Sequence, residues 1–141
     1  MKLSTRTRYG IRAAVELASN YGQGPMRIKS IAANQEISVK YLEQLIAMLK
    51  NGGFVRSIRG SKGGYMLARE PKKVKISEVY KSLEGPLVTV ACVAGAGKCD
   101  RASDCVTQEL WREVQNAVVD ILEAVTLADL VERAERHEKK R

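Results

Sequence analysis

Apolar residues recur at helical spacing along most of the chain, and the breaks between these stretches carry glycine, proline or asparagine. The first stretch, with Ser4 or Thr5 as its cap, predicts a helix that ends at the turn formed by residues 22–25. Its apolar positions are Ile11, Ala14, Val15 and Ala18. A short second helix is expected over 29–34, followed by a third helix that Ser38 caps and a Gly-Gly pair ends.

The third predicted helix has an apolar face and a polar face, and a basic hairpin follows it. Its apolar face carries Leu42, Leu45, Ile46 and Leu49. Two short strand patterns, at 54–58 and 65–68, then enclose a tip with the sequence R-G-S-K-G-G. Two short helices before a third with a polar outer face are typical of a helix-turn-helix, whose last helix enters the DNA major groove. An ordinary three-helix core is the alternative. The glycine-rich basic hairpin, or wing, favours the DNA-binding helix-turn-helix.

A fourth helix is predicted over 75–83, and a longer fifth helix begins near Asp104. Its stripe alternates steps of four and three, at Thr107, Trp111, Val114, Val118, Ile121 and Val125, with Leu110, Ala117 and Leu122 beside it. That stripe is wider than one small domain covers, so it predicts a two-fold dimer; packing wholly on its own winged helix is the alternative. Thr126 and Asp129 form a capping-box pattern for a short last helix, and the charged segment 135–141 is expected to fray.

These elements predict a mainly α fold with a small β-wing, namely a winged helix-turn-helix domain with a long C-terminal dimerisation helix. The 141 residues are enough for one core and a helical extension. The expected units are a DNA-binding domain at 1–84, a cysteine loop at 85–108, the dimerisation helix and short C-terminal helix at 104–134, and a charged tail at 135–141.

Charge is distributed unevenly between the two halves of the chain. Residues 1–75 carry 15 Lys and Arg against 4 Asp and Glu, whereas residues 76–141 carry 9 against 12. Such asymmetry is typical of a polyanion-binding half joined to a protein-binding half. The start of the chain is too basic and polar for a signal peptide, and no stretch approaches the ~20 apolar residues of a membrane span. A cytoplasmic protein with no membrane partner is therefore expected.

All three cysteines, Cys92, Cys99 and Cys105, lie in one glycine-containing loop. Their spacing is not the paired C-x2-C arrangement typical of structural zinc, and an odd number leaves one thiol outside any disulfide scheme. In a cytoplasmic protein, clustered cysteines more often serve metals or redox chemistry, and three thiolates can hold an iron–sulfur cluster. Two alternatives are oxidation of the thiols themselves and a zinc-stabilised interaction module that only resembles a DNA binder.

Four segments carry a resemblance to a known family: K-L-S-T-R-T-R-Y at 2–9, Y-L-E-Q-L at 41–45, R-G-S-K-G-G-Y-M-L at 59–67 and C-V-T-Q-E-L-W at 105–111. Over about residues 1–130 the chain resembles the IscR-like family of dimeric winged-helix regulators, whose best-known members sense iron–sulfur clusters. The resemblance implies a cluster, 2Fe-2S in preference to 4Fe-4S, held by the three cysteines. The best-known pattern has a histidine three residues after the last cysteine, where this chain has Gln108. An amide is a poor ligand, so the other candidates for the fourth site are Glu109, Asp104, a partner-chain group or a small molecule.

The candidate DNA-binding residues lie on the third helix, the wing, the first two helices and the segment just before the first helix. Gln44 can pair with adenine and Glu43 can accept a hydrogen bond from cytosine, so Glu43 is expected to set specificity. Arg59 is expected to reach into the minor groove, although a merely solvated position is the alternative for each surface cation. The full set is Ser38, Lys40, Tyr41, Glu43, Gln44, Arg59, Ser61, Lys62, Lys2, Tyr9 and Lys29.

An enzyme is not expected, because the sequence has no nucleotide-binding loop, no nucleophile–base pairing and no paired-carboxylate pattern. The prediction is a dimeric transcription regulator that binds palindromic double-stranded operator DNA and senses iron–sulfur cluster status. Control of cluster-assembly genes is implied by the resemblance. The main alternative is a thiol-redox or nitric-oxide-responsive repressor of the same fold.

Overall fold

The computed structural model describes residues 3–87, 91–93, 100–101 and 104–141, which form six α-helices and one two-stranded sheet. Short 3-10 turns cover Pro71–Lys73 and Ala91–Val93. The predicted mainly α fold with a small wing is confirmed. The elements are α1 (Thr5–Ser19), α2 (Ile28–Gln35), α3 (Val39–Asn51), β1 (Val55–Ile58), β2 (Gly64–Leu67), α4 (Ile76–Glu84), α5 (Val106–Ala124) and α6 (Leu127–Lys139).

Helix α1 begins at a serine cap that also fastens it to the end of α4. The Ser4 hydroxyl oxygen accepts a hydrogen bond from the Thr7 backbone N–H at 3.1 Å. The Ser4 and Thr7 hydroxyls both donate to the Glu84 carboxylate, and the Arg6 guanidinium lies 3.7 Å from the same carboxylate. Because Glu84 is the last residue of α4, these contacts hold the N-terminus of α1 against the C-terminus of α4.

The turn between α2 and α3 depends on a left-handed residue, Glu36, with φ of 55°. The backbone N–H groups of Glu36 and Ile37 donate to carbonyl oxygens of α2, which ends that helix. Ser38 then caps α3, because its hydroxyl oxygen accepts from the Tyr41 N–H at 3.1 Å. The four predicted apolar positions of α3 are all buried: Leu42, Leu45, Ile46 and Leu49.

The wing is an antiparallel pair in which Val55 faces Leu67 and Ile58 faces Gly64. A third backbone segment pairs with β2 at Tyr65. The backbone N–H of Met26 donates to the Tyr65 carbonyl and that of Tyr65 donates to the Met26 carbonyl, each at 2.8 Å. This close approach requires glycine at position 64, where a Cβ would lie 2.2 Å from the Met26 carbonyl oxygen. The wing is therefore attached to the chain just before α2 as well as to α3.

Helix α6 completes the winged-helix core. The Ile76 N–H donates to the Val125 carbonyl at 2.8 Å, and the Leu127 N–H donates to the Val74 carbonyl at 2.9 Å. Leu127 is fully buried in the same cluster as Ala14 of α1. The expectation of a short last helix with a frayed end at 135–141 was wrong, because α6 continues to Lys139. Its predicted Thr126–Asp129 capping box is present.

Helix α5 begins two residues later than the predicted Asp104, at Val106, with Cys105 as its N-cap. Among the described residues, α5 packs on the winged-helix core at its C-terminal part, through Leu122. Val125, expected on the dimer stripe, lies beyond the helix and packs against that core instead. Within the described ranges, none of the helices combines the length and apolar character that crossing a membrane would require.

Candidate DNA interface and cysteine site

The outer face of α3 presents three of the predicted DNA-contacting side chains to solvent. Lys40, Glu43 and Gln44 are exposed, because the apolar positions of the same helix face the core. Ser38 is also exposed, and its hydroxyl oxygen is occupied by the cap to Tyr41. The first two turns of α3 therefore expose both signs of charge and an amide, the groups that read base edges in a DNA groove.

Tyr41 and Tyr9 have a packing role that the sequence analysis did not anticipate. Both are half-buried, and their rings meet edge to face with centroids 6.3 Å apart. The Arg12 guanidinium lies 4.9 Å from the centroid of the Tyr9 ring, and its Nε donates to the Gln35 side-chain oxygen at 2.9 Å. These contacts join α1, α2 and the start of α3.

The wing tip carries exposed Arg59, Ser61 and Lys62, and an arginine outside the predicted set braces it. The Arg27 guanidinium donates to the Ser61 carbonyl oxygen at 2.7 Å. Lys29, exposed at the start of α2, lines the same surface notch as Ser61. No periodicity relates positions 27 and 61, so the sequence offered no signal for this contact. Lys2, another predicted contact, lies outside the described residues.

Two of the three cysteines contact Gln108, Cys92 through the glutamine side chain and Cys105 through the glutamine backbone N–H. Cys92 lies in the 3-10 turn Ala91–Val93, and Cys105 caps α5. The Gln108 side chain is buried, and its Nε2 donates to the Cys92 backbone carbonyl at 2.8 Å. Cys99 lies outside the described residues. Within the ranges that are described, no three His, Cys, Asp or Glu side chains form a metal-binding group.

Cys105 lies in a setting that favours its thiolate. Its sulfur is 3.1 Å from the Thr107 hydroxyl oxygen. The Thr107 hydroxyl, followed by the Gln108 backbone N–H, lowers the pKa of the Cys105 thiol, and the charge of Arg101 contributes less. The thiolate is the form that binds metals and reacts with oxidants, so this position suits either chemistry.

The donor set fits an iron–sulfur cluster as far as it is described. Thiolates are the usual ligands of such clusters, and both described cysteines are partly accessible. Because the amide nitrogen of Gln108 is bonded to the Cys92 carbonyl, its Oε1 is the atom left for a metal. Asp104 and Glu109, the alternative fourth ligands, are exposed on either side of Cys105.

Helix α5 exposes large apolar side chains from its first residue, Val106, to Ile121. Val106 and Ile121 are 78% and 63% exposed. The other exposed large apolar side chains of this helix are Leu110, Trp111 and Val114. Several exposed large apolar side chains on one helix are typical of a protein–protein interface.

Comparison with known proteins agrees with this geometry. CymR of Bacillus subtilis is 41% identical over 130 residues, which cover 92% of this chain and 89% of CymR. IscR of Escherichia coli is 33% identical over 135 residues, which cover 96% of this chain and 83% of IscR. The structure of CymR, described as the global cysteine regulator of B. subtilis, matches with a TM-score of 0.82 at 39% identity, over 94% of this chain and 98% of that one.

The structure of T. potens IscR matches with a TM-score of 0.80 at 39% identity, over 97% of this chain and 90% of that one. The Rrf2 family profile, described as an iron-dependent transcriptional regulator, matches residues 3–133. These relatives are named as transcriptional regulators and not as enzymes, which confirms both the expected DNA-binding class and the resemblance to IscR. The chain therefore belongs to the Rrf2 family of DNA-binding transcription regulators.

Proposed function

We propose that this regulator holds an iron–sulfur cluster through Cys92, Cys99 and Cys105 and that the cluster changes how the protein binds its operator. The contacts of Gln108 with both described cysteines, from its Nε2 to the Cys92 carbonyl and from its backbone N–H to the Cys105 sulfur, are the observation that carries the proposal. A bound cluster would supply redox- and oxygen-sensitive iron at this site. Gln108 remains a candidate fourth ligand, and 2Fe-2S remains the favoured cluster type.

The position of Cys105 couples the cysteine site to the winged helix through α5. Cys105 caps α5, so a ligand on its sulfur would restrain the first turn of that helix. At the other end of α5, Val125 follows the helix, and its carbonyl accepts a hydrogen bond from the Ile76 N–H of the winged helix. Restraining α5 would therefore bias where the winged helix sits relative to a second protomer, which is an allosteric coupling between two sites.

The winged helix is proposed to place α3 in the major groove of a palindromic operator and the wing on the flanking minor groove. The proposed contacts are Ser38, Lys40, Tyr41, Glu43 and Gln44 on α3, Arg59, Ser61 and Lys62 on the wing, and Lys2, Tyr9 and Lys29 elsewhere. An acidic side chain in a basic reader is unfavourable unless it meets a base donor, so Glu43 is proposed to set specificity. Glu43→Ala should relax base preference and keep affinity, whereas uniform weakening on every sequence would contradict this role.

Dimerisation is proposed to occur through α5 of two copies. The exposed Trp111, Val114 and Ile121 support this proposal, since a second α5 would remove them from water. Two readers related by a two-fold axis match the two half-sites of a palindromic operator.

The cluster is tested by measuring iron, acid-labile sulfide and zinc per chain, with a visible spectrum, on protein purified without oxygen. Iron matched by sulfide is expected, and both should be lost together in Cys92→Ala. His137→Ala is the matched control, because His137 is exposed near the end of α6, and it should keep both. Colourless, iron-free protein that resists reconstitution would overturn the cluster proposal.

A thiol-responsive repressor is the second candidate. It is favoured by the similarity to CymR, described as a cysteine regulator, and by the partly accessible Cys105 sulfur beside Thr107. In this case hydrogen peroxide would oxidise the thiolate to a sulfenic acid and be reduced to water. Operator affinity of metal-free protein would then change with peroxide and return with dithiothreitol, and Cys105→Ser would abolish the response.

A further inference from the structure

A cavity of about 740 Å³ lies where the winged helix meets the C-terminal part of α5. The winged helix contributes Phe54, and α4 contributes Tyr80 and Lys81. Val119 and Leu122 of α5 form an apolar wall. The volume is within the range of small-molecule sites, which run from about 300 to 1,000 Å³. The cavity is distinct from the cysteine site, which lies at the other end of α5.

Tyr80 gives this cavity an unused hydrogen-bond donor. Tyr80 is one of the lining residues, and only 7% of it is exposed. Among the residues described here, the phenol hydroxyl meets no hydrogen-bond partner. Burial, with a smaller contribution from the charge of Glu84, raises the pKa of Tyr80, so the hydroxyl keeps its proton at neutral pH. A buried polar group without a partner costs free energy, which an acceptor on a ligand would recover.

Positive charge at the rim favours an anionic acceptor. Four cations line the cavity against two carboxylates, and one of these, Glu78, already pairs with Arg69 at 3.6 Å. Lys73 pairs with Glu70, which lies outside the lining, at 3.5 Å. In the described part of the chain, the ammonium groups of Lys75 and Lys81 form no ion pair, and the remaining carboxylate, that of Glu123, is exposed. A carboxylate could therefore accept from Tyr80 and lie near an uncompensated ammonium.

We propose that this cavity is a binding site for a small amphipathic carboxylate. Its charged group would accept the Tyr80 hydrogen bond and lie near Lys81, and its carbon skeleton would contact Phe54, Val119 and Leu122. Such a ligand contacts the winged helix and α5 at the same time, because Phe54 belongs to the winged helix and Val119 and Leu122 belong to α5. The site requires neither the cysteines nor a cluster, so it is independent of the function proposed above.

Titration calorimetry on the full chain tests the site with 4-phenylbutyrate as the probe and its uncharged amide as the matched ligand control. The carboxylate should bind, and the amide should bind at least tenfold more weakly. Tyr80→Phe keeps the ring and removes only the hydroxyl, and it should weaken carboxylate binding about tenfold. Lys81→Gln should weaken it and reduce its salt dependence. Lys72→Gln, an exposed lysine outside the lining, should leave the affinity unchanged, as should Cys92→Ala.

Three outcomes would overturn the proposal. The first is equal binding of the carboxylate and the amide, or no binding of either. The second is unchanged carboxylate affinity in Tyr80→Phe. The third is affinity that falls as the protein dimerises, measured at protein concentrations on both sides of the dimerisation midpoint, because a second copy would then cover the cavity.

Discussion

At the residue scale, Glu36 lies in a backbone conformation that its own side chain disfavours. It ends α2 with φ of 55°, and a non-glycine L-residue in the left-handed region costs about 1–2 kcal/mol. Glycine removes this cost but has more freedom to lose on folding, about 0.5–1 kcal/mol. We expect Glu36→Gly to raise the free energy of unfolding by about 0.5–1 kcal/mol in urea denaturation. Glu36→Ala, which keeps a Cβ, should give no such gain, and a lower midpoint for the glycine variant would contradict the account.

The carboxylate of Glu84 makes stability depend on pH. Hydrogen bonds from the Ser4 hydroxyl and then the Thr7 hydroxyl lower its pKa, and the nearby Arg6 adds a smaller effect. Because the folded pKa is depressed, this stabilisation is complete above the ordinary glutamate pKa of about 4.3 and is lost as the pH falls through the lowered value. The advantage of wild type over Glu84→Gln in unfolding free energy should therefore shrink between about pH 7 and about pH 3. Glu138→Gln, at an exposed site on α6, should show a nearly constant difference.

At the element scale, the wing depends on a brace from outside the hairpin. Arg27 donates to the Ser61 carbonyl at 2.7 Å, and removing it takes away this bond between the tip and the segment before α2. We expect Arg27→Gln to speed amide hydrogen exchange at 59–63 and to weaken operator binding several-fold. Lys29→Gln, a neighbouring cation that makes no such bond in the described chain, should weaken binding without changing wing exchange. Unchanged exchange in Arg27→Gln would show that the brace does not order the wing.

The sequence predicted the elements whose signals are local and missed the contacts that join distant segments. Helix α3 and its cap follow from periodicity and from Ser38, because both depend on residues a few positions apart. The placement of α6 depends on backbone bonds that join Val125 and Leu127 to residues 74–76 at the start of α4, and no local pattern encodes that pairing. The same is true of the cavity at Tyr80, whose walls are distant in sequence.

At the scale of the whole molecule, α5 has two different environments along its length. Its C-terminal end packs on its own winged helix, whereas Trp111, Val114 and Ile121 face solvent in one protomer. This division fits both interpretations of the stripe, dimerisation and packing on the chain's own winged helix. Part of the stripe packs on the protomer's own core, and the rest is exposed and available to another surface. A helix fixed at one end to a reader can transmit the geometry of an interface to the DNA-contacting surface.

The dimer proposal predicts that one charge on α5 uncouples protomer stability from operator binding. Ile121 is 63% exposed, so Ile121→Glu should leave the unfolding transition of the protomer nearly unchanged. Between two copies the same carboxylate would be desolvated, so sedimentation should show a shift from dimer to monomer. Affinity for a palindromic operator should then fall to that for a single half-site, because the two readers no longer bind as one unit. Glu113→Gln, a polar change on the same helix, should remain dimeric, and a fully dimeric Ile121→Glu would place the interface elsewhere.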